Sequence, residues 1–358
     1  MRNSNSPKIR LARGLCPALA ALALLAALAL IHPAAVLGDG GFVAPIGSFM
    51  YEPTQQAFID YDSESRTEQL SILPSFHGDA NAFAWIVPVP GLPEVALADR
   101  QLFRDLDNLT RPVYRSRDGD WDCFQGNEVY SPDAPSGGVE IIDSHLVGYY
   151  QTMTLAATEA PALLDSLTVW GFLHQENLEA ITAAITDYVD RSWYFVTLQV
   201  DSTALAEIDS YGYYGPYGFV HGGLDPIQLT FPSDEIIYPM KISAISAAEN
   251  SQVHLFVNTG HRMTFSGAAT YYANRFSSGE LNEISRYPSL RAVLQPGDFL
   301  TKLYRGYRPE QMTEDIILQR ASSDDEFNLI HYSGFPWTGI LLLTPPLFVA
   351  IKRRFWLG

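Results

Sequence analysis

The stretch Leu70-Ser71-Ile72-Leu73-Pro74-Ser75-Phe76-His77-Gly78-Asp79-Ala80-Asn81-Ala82-Phe83-Ala84-Trp85-Ile86-Val87-Pro88-Val89-Pro90 decides the fold class. Its two apolar runs, Leu70–Phe76 and Ala82–Val87, have strand length and are rich in branched and aromatic residues. His77–Asn81 joins them with a glycine and turn-favouring Asp and Asn. The spacing predicts an antiparallel hairpin with a five-residue turn. Pro88-Val89-Pro90 follows, and proline cannot donate to a ladder, so the strand is expected to stop there.

Upstream, Gln56–Tyr61 reads as a further strand, separated from the first run by the charged stretch Asp62–Glu68. Residues 42–155 as a whole read as strands and turns. Residues 161–190 change character. Pro161 opens Ala162–Trp170, and Asn177 offers a cap for Leu178–Val189, where Leu178, Ile181, Ile185 and Tyr188 or Val189 recur at helical spacing. An αα-hairpin with its joint at Gly171–Glu176 is expected. Strands are expected at Trp193–Val200, Ile227–Phe231, Met240–Ala244 and Val253–Val257, and short helices within Leu281–Leu290 and Pro309–Gln319. The fold class is α+β, predominantly antiparallel β with an inserted helical hairpin. No internal repeat is evident.

The two ends address the chain to a membrane. Residues 1–14 are basic, Leu15–Ile31 is an Ala- and Leu-rich run, and Val36-Leu37-Gly38 supplies small residues before Asp39. That layout predicts a signal peptide over residues 1–38, with an uncleaved anchor as the alternative. Phe335–Ile351 carries no charge and is followed at once by Lys352-Arg353-Arg354, a stop-transfer pattern. A transmembrane helix is expected over 335–351, kinked at Pro345-Pro346, with a cytoplasmic tail at 352–358. A helix of a soluble core and a removable sorting tail are the alternatives there. The extracytoplasmic domain then spans 39–330, and Asp324-Asp325-Glu326 reads as solvated linker beside the membrane.

With 358 residues, 47% of them hydrophobic and 18% charged, the chain can build a packed core. Seven of its 23 basic residues and none of its 40 acidic ones lie in the two flanks. The segment between carries 16 cations against 40 carboxylates, a net of −24. Such a surface repels phosphate backbones, so no nucleic-acid partner is expected. Cys16 falls in the leader and Cys123 stands alone, which excludes an internal disulfide in the exported chain and any zinc site built on cysteine pairs. Cys123 reads either as a buried small hydrophobe or as a reactive thiol.

Several stretches resemble a known family. They are Asp39-Gly40-Gly41-Phe42, Tyr51-Glu52-Pro53-Thr54-Gln55-Gln56-Ala57, Ala82–Pro90, Trp193-Tyr194-Phe195-Val196 and Ile237-Tyr238-Pro239-Met240-Lys241-Ile242-Ser243. In these the chain is similar to the prokaryotic family of domain of unknown function 2330, over residues about 39 to 260. The resemblance implies a secreted or membrane-anchored protein. It brings no reaction and no site residues. Many members carry a cysteine before the paired glycines, where this chain has Asp39.

Catalytic signatures are missing. There is no nucleophile elbow, His-Glu-x-x-His, phosphate loop or Cys-x-x-Cys. The residues three before the lysines are Asn5, Tyr238, Phe299 and Val349, so no serine–lysine pair exists either. A dispersed Ser-His-Asp triad leaves no local trace. Asp118, Asp120 and Asp122 alternate like the oxygen ligands of calcium. The helix-loop-helix calcium loop is excluded by Cys123 and Val129 at its glycine and glutamate positions, which leaves an irregular calcium turn or a solvated acidic loop. His77 with Asp79, and His254 with His261, are further metal or acid–base candidates or plain turn residues. Asn108-Leu109-Thr110 is a glycosylation sequon.

The most distinctive stretch is Tyr211-Gly212-Tyr213-Tyr214-Gly215-Pro216-Tyr217-Gly218-Phe219. Tyr211, Tyr213, Tyr214, Tyr217 and Phe219 suit a binding surface that stacks on sugars or grips a protein; the competing reading folds the loop back on the core. The functional expectation is a membrane-anchored extracytoplasmic module that binds or scaffolds a protein or glycan at the cell surface. The alternative is an extracytoplasmic hydrolase with a dispersed active site.

Overall fold

The computed structural model describes residues 41–48, 50–78, 82–116, 145–148, 150–156, 160–173, 175, 178–200, 213–214, 220–221 and 224–333. These belong to one compact unit. The first part comprises β1 (Gly41–Val43), β2 (Met50–Asp62), β3 (Thr67–Leu73), β4 (His77–Gly78), β5 (Phe83–Val89) and β6 (Glu94–Leu97). Helix α1 (Arg100–Leu109), β7 (Val113–Ser116), β8 (His145–Val147) and β9 (Tyr150–Ala156) come next. The expected helical hairpin is present as α2 (Ala160–Val169) and α3 (Leu178–Asp190). After it run β10 (Tyr194–Val200), β11 (Tyr213–Tyr214), β12 (Val220–His221), β13 (Ile227–Pro232), β14 (Ile236–Tyr238) and β15 (Ala247–Thr259). The last part holds β16 (Met263–Thr264), β17 (Ala269–Arg275), α4 (Ser278–Glu283), α5 (Pro288–Val293), β18 (Phe299–Tyr307), β19 (Ile316–Arg320), β20 (Phe327–Asn328) and β21 (Ile330–Ser333).

The architecture is α+β with β predominant. One sheet has the order β1-β5-β10-β9-β8. A second has the order β20-β17-β18-β15-β2-β3-β13-β6, with β4 attached to β2. Pairing is antiparallel, except that β15 runs parallel to β2 at the middle of the large sheet and β21 runs parallel to β7. The two sheets face each other across the main core. Phe83, Trp85 and Val87 of β5 meet Ala57, Ile59, Leu70, Ile72 and Leu229 there. The alternate residues of β5, Ala84 and Ile86, point to the other face and pack under Leu163, Leu167, Ile181 and Ile185 of the helical hairpin. The outer face of the large sheet places Phe58, Phe256 and Leu300 under Leu102, Phe103 and Leu106 of α1 and Leu281 and Leu290 of α4 and α5. The result is helix, sheet, sheet, helix in four layers.

This layering overturns the hairpin expected between Leu70–Phe76 and Ala82–Val87. β3 pairs with β2 and β13, whereas β5 pairs with β1 and β10. Every residue of β5 is buried. A strand covered on both faces belongs in mid-sheet, and the two runs face one another across the core instead of lying side by side. The real neighbour of β3 is β2, across a turn at Asp62–Arg66. There the Asp62 carboxylate accepts from the Glu64 amide at 2.8 Å and the Ser65 hydroxyl at 2.7 Å. Pro88 also sits inside its strand, opposite Phe195. Among the described residues β1 pairs with β5 at residues 84–86.

Three other expectations change. Met240–Ala244 is not a strand; Pro239 ends β14, and residues 242–245 form a 3-10 turn. Within Pro309–Gln319 only residues 309–311 are helical, as a 3-10 turn, and β19 takes up the chain from Ile316. Helix α1 falls inside a region read as all strands and turns; its side-chain cap on Asp99 and its apolar Leu102, Phe103 and Leu106 are visible in the sequence. Among the described residues no helix is long and apolar enough to cross a membrane. The segments 1–38 and 335–351 lie outside the described residues.

Candidate functional site

The motif residues quoted above converge on the joint between the sheets. Phe42 of β1 stacks on Trp85 of β5 with centroids 5.6 Å apart, and its amide donates to the Ser246 hydroxyl at 2.9 Å. A Cβ on Gly41 would stand 3.1 Å from Ile242, so the strand lies tightly against the 3-10 turn. Glu52 is fully buried and accepts from the Ser75 amide at 3.2 Å. Tyr238 donates to the Gln55 carboxamide oxygen at 3.0 Å. Glu68 is also fully buried; one carboxyl oxygen accepts from the Ile237 amide at 2.9 Å, and the other has no partner among the described residues. Burial pushes the Glu68 acid well above the usual carboxylate range, against the opposing pull of the Ile237 N–H. These groups hold β2, β3, β14 and the 3-10 turn together, and they are closed to solvent.

A second cluster fastens the helical hairpin. Asp315 accepts from the Tyr188 hydroxyl at 2.7 Å, the Lys241 amide at 2.9 Å and the Arg191 guanidinium at 2.7 Å. Arg191 also reaches Asp187 at 2.6 Å and lies over the Tyr188 and Trp193 rings, 4.4 and 4.3 Å from their centroids. Lys241 pairs with Asp187 at 2.7 Å. Each charge is matched, which suits a clamp.

The third cluster lies at the surface and corrects the reading of Asp324-Asp325-Glu326 as linker. Asp324 gathers the His261 ring at 2.8 Å, the Arg262 amide at 3.0 Å, Arg275 at 3.3 Å and Arg320 at 3.2 Å. The hydrogen bond from His261, with the Arg262 amide and the Arg320 charge, holds its carboxyl down at about 2. His261 and Asp324 form the imidazole–carboxylate half of a triad, but among the described residues no hydroxyl is hydrogen-bonded to the other ring nitrogen.

The structure treats the remaining candidates unequally. Tyr213 and Tyr214 form β11, which pairs with Val220 and His221 of β12 as a ladder of its own, outside both large sheets. Tyr211, Tyr217 and Phe219 lie outside the described residues, as do Asp118, Asp120, Asp122, Cys123 and Asp79. His77 is in β4 opposite Tyr51. His254 and His261 do not meet. The first sits in mid-strand beside the Tyr304 ring at 5.0 Å, and β15 runs on for five residues before the turn that carries the second. No group of three or more metal-ligating side chains occurs among the described residues. The sequon asparagine lies in the last turn of α1, where it accepts from Arg111, and the Thr110 hydroxyl is buried on the Leu106 carbonyl.

Residues 33–319 match the family described as "Uncharacterized protein conserved in bacteria (DUF2330)". The chain belongs to the DUF2330 family. The DUF2330 match runs into β19, well past the motifs that carry the resemblance, and takes in the helical hairpin and, apart from β20, both large sheets. No curated protein matches. Among solved structures, that of baculovirus P35 aligns at 11% identity over 77% of this chain and 98% of that one, with a TM-score of 0.41. The DUF2330 motifs are accounted for by packing: they build the joint around Phe42, Trp85, Gln55 and Tyr238.

Proposed function

We propose that this protein is an extracytoplasmic binding module, anchored in the cell membrane by its C-terminal segment, that grips a protein or glycan at the cell surface through the aromatic stretch 211–219. The observation that supports this reading is the separate ladder of Tyr213-Tyr214 with Val220-His221. Tyrosine and phenylalanine give a binding surface large contact area at small entropic cost. The apolar segment 335–351 with its trailing cations supplies the anchor.

Crosslinking on intact membranes tests the proposal. The full chain should capture a protein or glycan neighbour, and the double variant Tyr213→Ser/Tyr214→Ser should lose roughly tenfold or more of it, the scale of an interface hot spot. Recovery of lipid alone, or equal capture by the variant, refutes the reading.

A further inference from the structure

Beside Asp324 a cleft of about 190 Å³ opens, lined by Arg262, Thr264, Thr270, Ala321, Ser322 and Ser323. Its walls come from three separate stretches of chain: the turn and β16, the start of β17, and the link from β19 to β20.

The guanidinium of Arg262 sets its chemistry. One terminal nitrogen donates to the Asp325 carbonyl at 2.9 Å and the other to the Thr270 hydroxyl at 3.2 Å, both neutral acceptors. Its Nε is buried and has no partner among the described residues. No carboxylate of a described residue stands at ion-pair distance from it. Asp324 is saturated by His261, Arg275, Arg320 and the Arg262 backbone amide, and Asp325 turns its carboxylate to the Ser323 hydroxyl at 2.7 Å. The half-buried cation therefore faces the cleft without a counter-charge, an arrangement that costs free energy until an anion supplies one. Hydroxyl donors surround it. Thr264 and Ser322 spend theirs on no described residue, and Thr270, accepting from Arg262, keeps its own hydrogen free to donate.

We propose that this cleft binds a tetrahedral oxyanion, the phosphate-type group of a ligand. A guanidinium and hydroxyls converging from three segments match such a group better than a planar one. The chain as a whole is acidic and Asp325 and Glu326 lie exposed nearby, so the long-range field opposes approach and the contacts themselves must select the ligand. The proposal is independent of the β11–β12 ladder, which belongs to neither sheet that holds β16 and β17.

The test is calorimetric titration of inorganic phosphate, at fixed ionic strength, into the full chain held in lipid nanodiscs. Binding should be measurable. Arg262→Gln should raise Kd at least about tenfold, the scale of a charge-assisted hydrogen bond. Thr264→Val/Ser322→Ala breaks no hydrogen bond between described residues and should raise Kd several-fold even if Arg262→Gln fails to fold. Arg66→Gln, on the β2–β3 turn, should leave binding unchanged. Weaker phosphate binding in discs of phosphatidylcholine than in micelles of a phosphate-free maltoside detergent identifies a lipid headgroup as the oxyanion's source; equal binding identifies a soluble one. Heat no different from buffer, or equal affinity in the wild type and both cleft variants, overturns the proposal.

Discussion

Replacing Glu68 by Gln should leave the protein equally stable in mild acid and make it progressively more stable than the wild type as the pH rises. Glu68 is fully buried on β3, with one oxygen on the Ile237 N–H and the other unpartnered among the described residues. Burial raises its pKa well above 4.5, so the folded chain keeps a proton that the unfolded chain releases. For an acid raised in this way, stability is greatest below the unfolded pKa and declines as the pH climbs toward the folded one. The slope is about 1.4 kcal/mol per pH unit. Above pH 5 the glutamine variant should therefore gain steadily on the wild type, until the pH reaches the raised pKa of the folded acid. Glutamine has nearly the shape of the protonated acid and keeps the carbonyl that accepts from Ile237, so at pH 5 the two should agree within about 1 kcal/mol. Asp60, which burial also raises, to about 6, is present in both chains and cancels in the difference. Urea unfolding at half-unit steps from pH 5 to 8 reads the difference directly. Parallel curves for the two proteins would show that Glu68 is ionised in the fold and refute the reasoning.

Two further substitutions probe the joints. A Cβ on Gly91 would stand 2.5 Å from the Pro232 carbonyl and 2.8 Å from its ring, so Gly91→Ala should force the β5–β6 link away from the end of β13 and cost about 1–3 kcal/mol in thermal or urea melts; a change below ~0.5 kcal/mol would place those segments wrongly. Tyr188→Phe strands the buried Ile242 N–H, which the hydroxyl accepts from at 3.0 Å, and removes a donor to Asp315. It should cost about 1–3 kcal/mol, and Asp315→Asn combined with it should add less than in the wild-type background; simple additivity would break the proposed network.

Legibility followed the range of the forces. The helical hairpin was readable because Ile181, Ile185 and Tyr188 repeat on one face, a pattern set by residues three and four apart. The strands Trp193–Val200 and Ile227–Phe231 were readable from composition, and their structural counterparts, Tyr194–Val200 and Ile227–Pro232, differ by a residue at one end. Pairing was not. β5 finds β1 and β10, 43 and 111 residues away at Phe42–Trp85 on one side and Ile86–Thr197 on the other, while its neighbour in sequence goes to the opposite sheet. The Asp324 cluster was equally hidden, because His261 and its carboxylate are 63 residues apart.

Sequence alone settled what depends on a few adjacent residues: strand-forming runs, the helical pair, the charge balance and the family motifs. Tertiary structure alone settled which strands share a sheet, which acids lose their water and which cations stand without a partner. Those outcomes depend on what distant segments bring to the same few ångströms, and burial, the force that decides them, has no expression in an isolated stretch of chain.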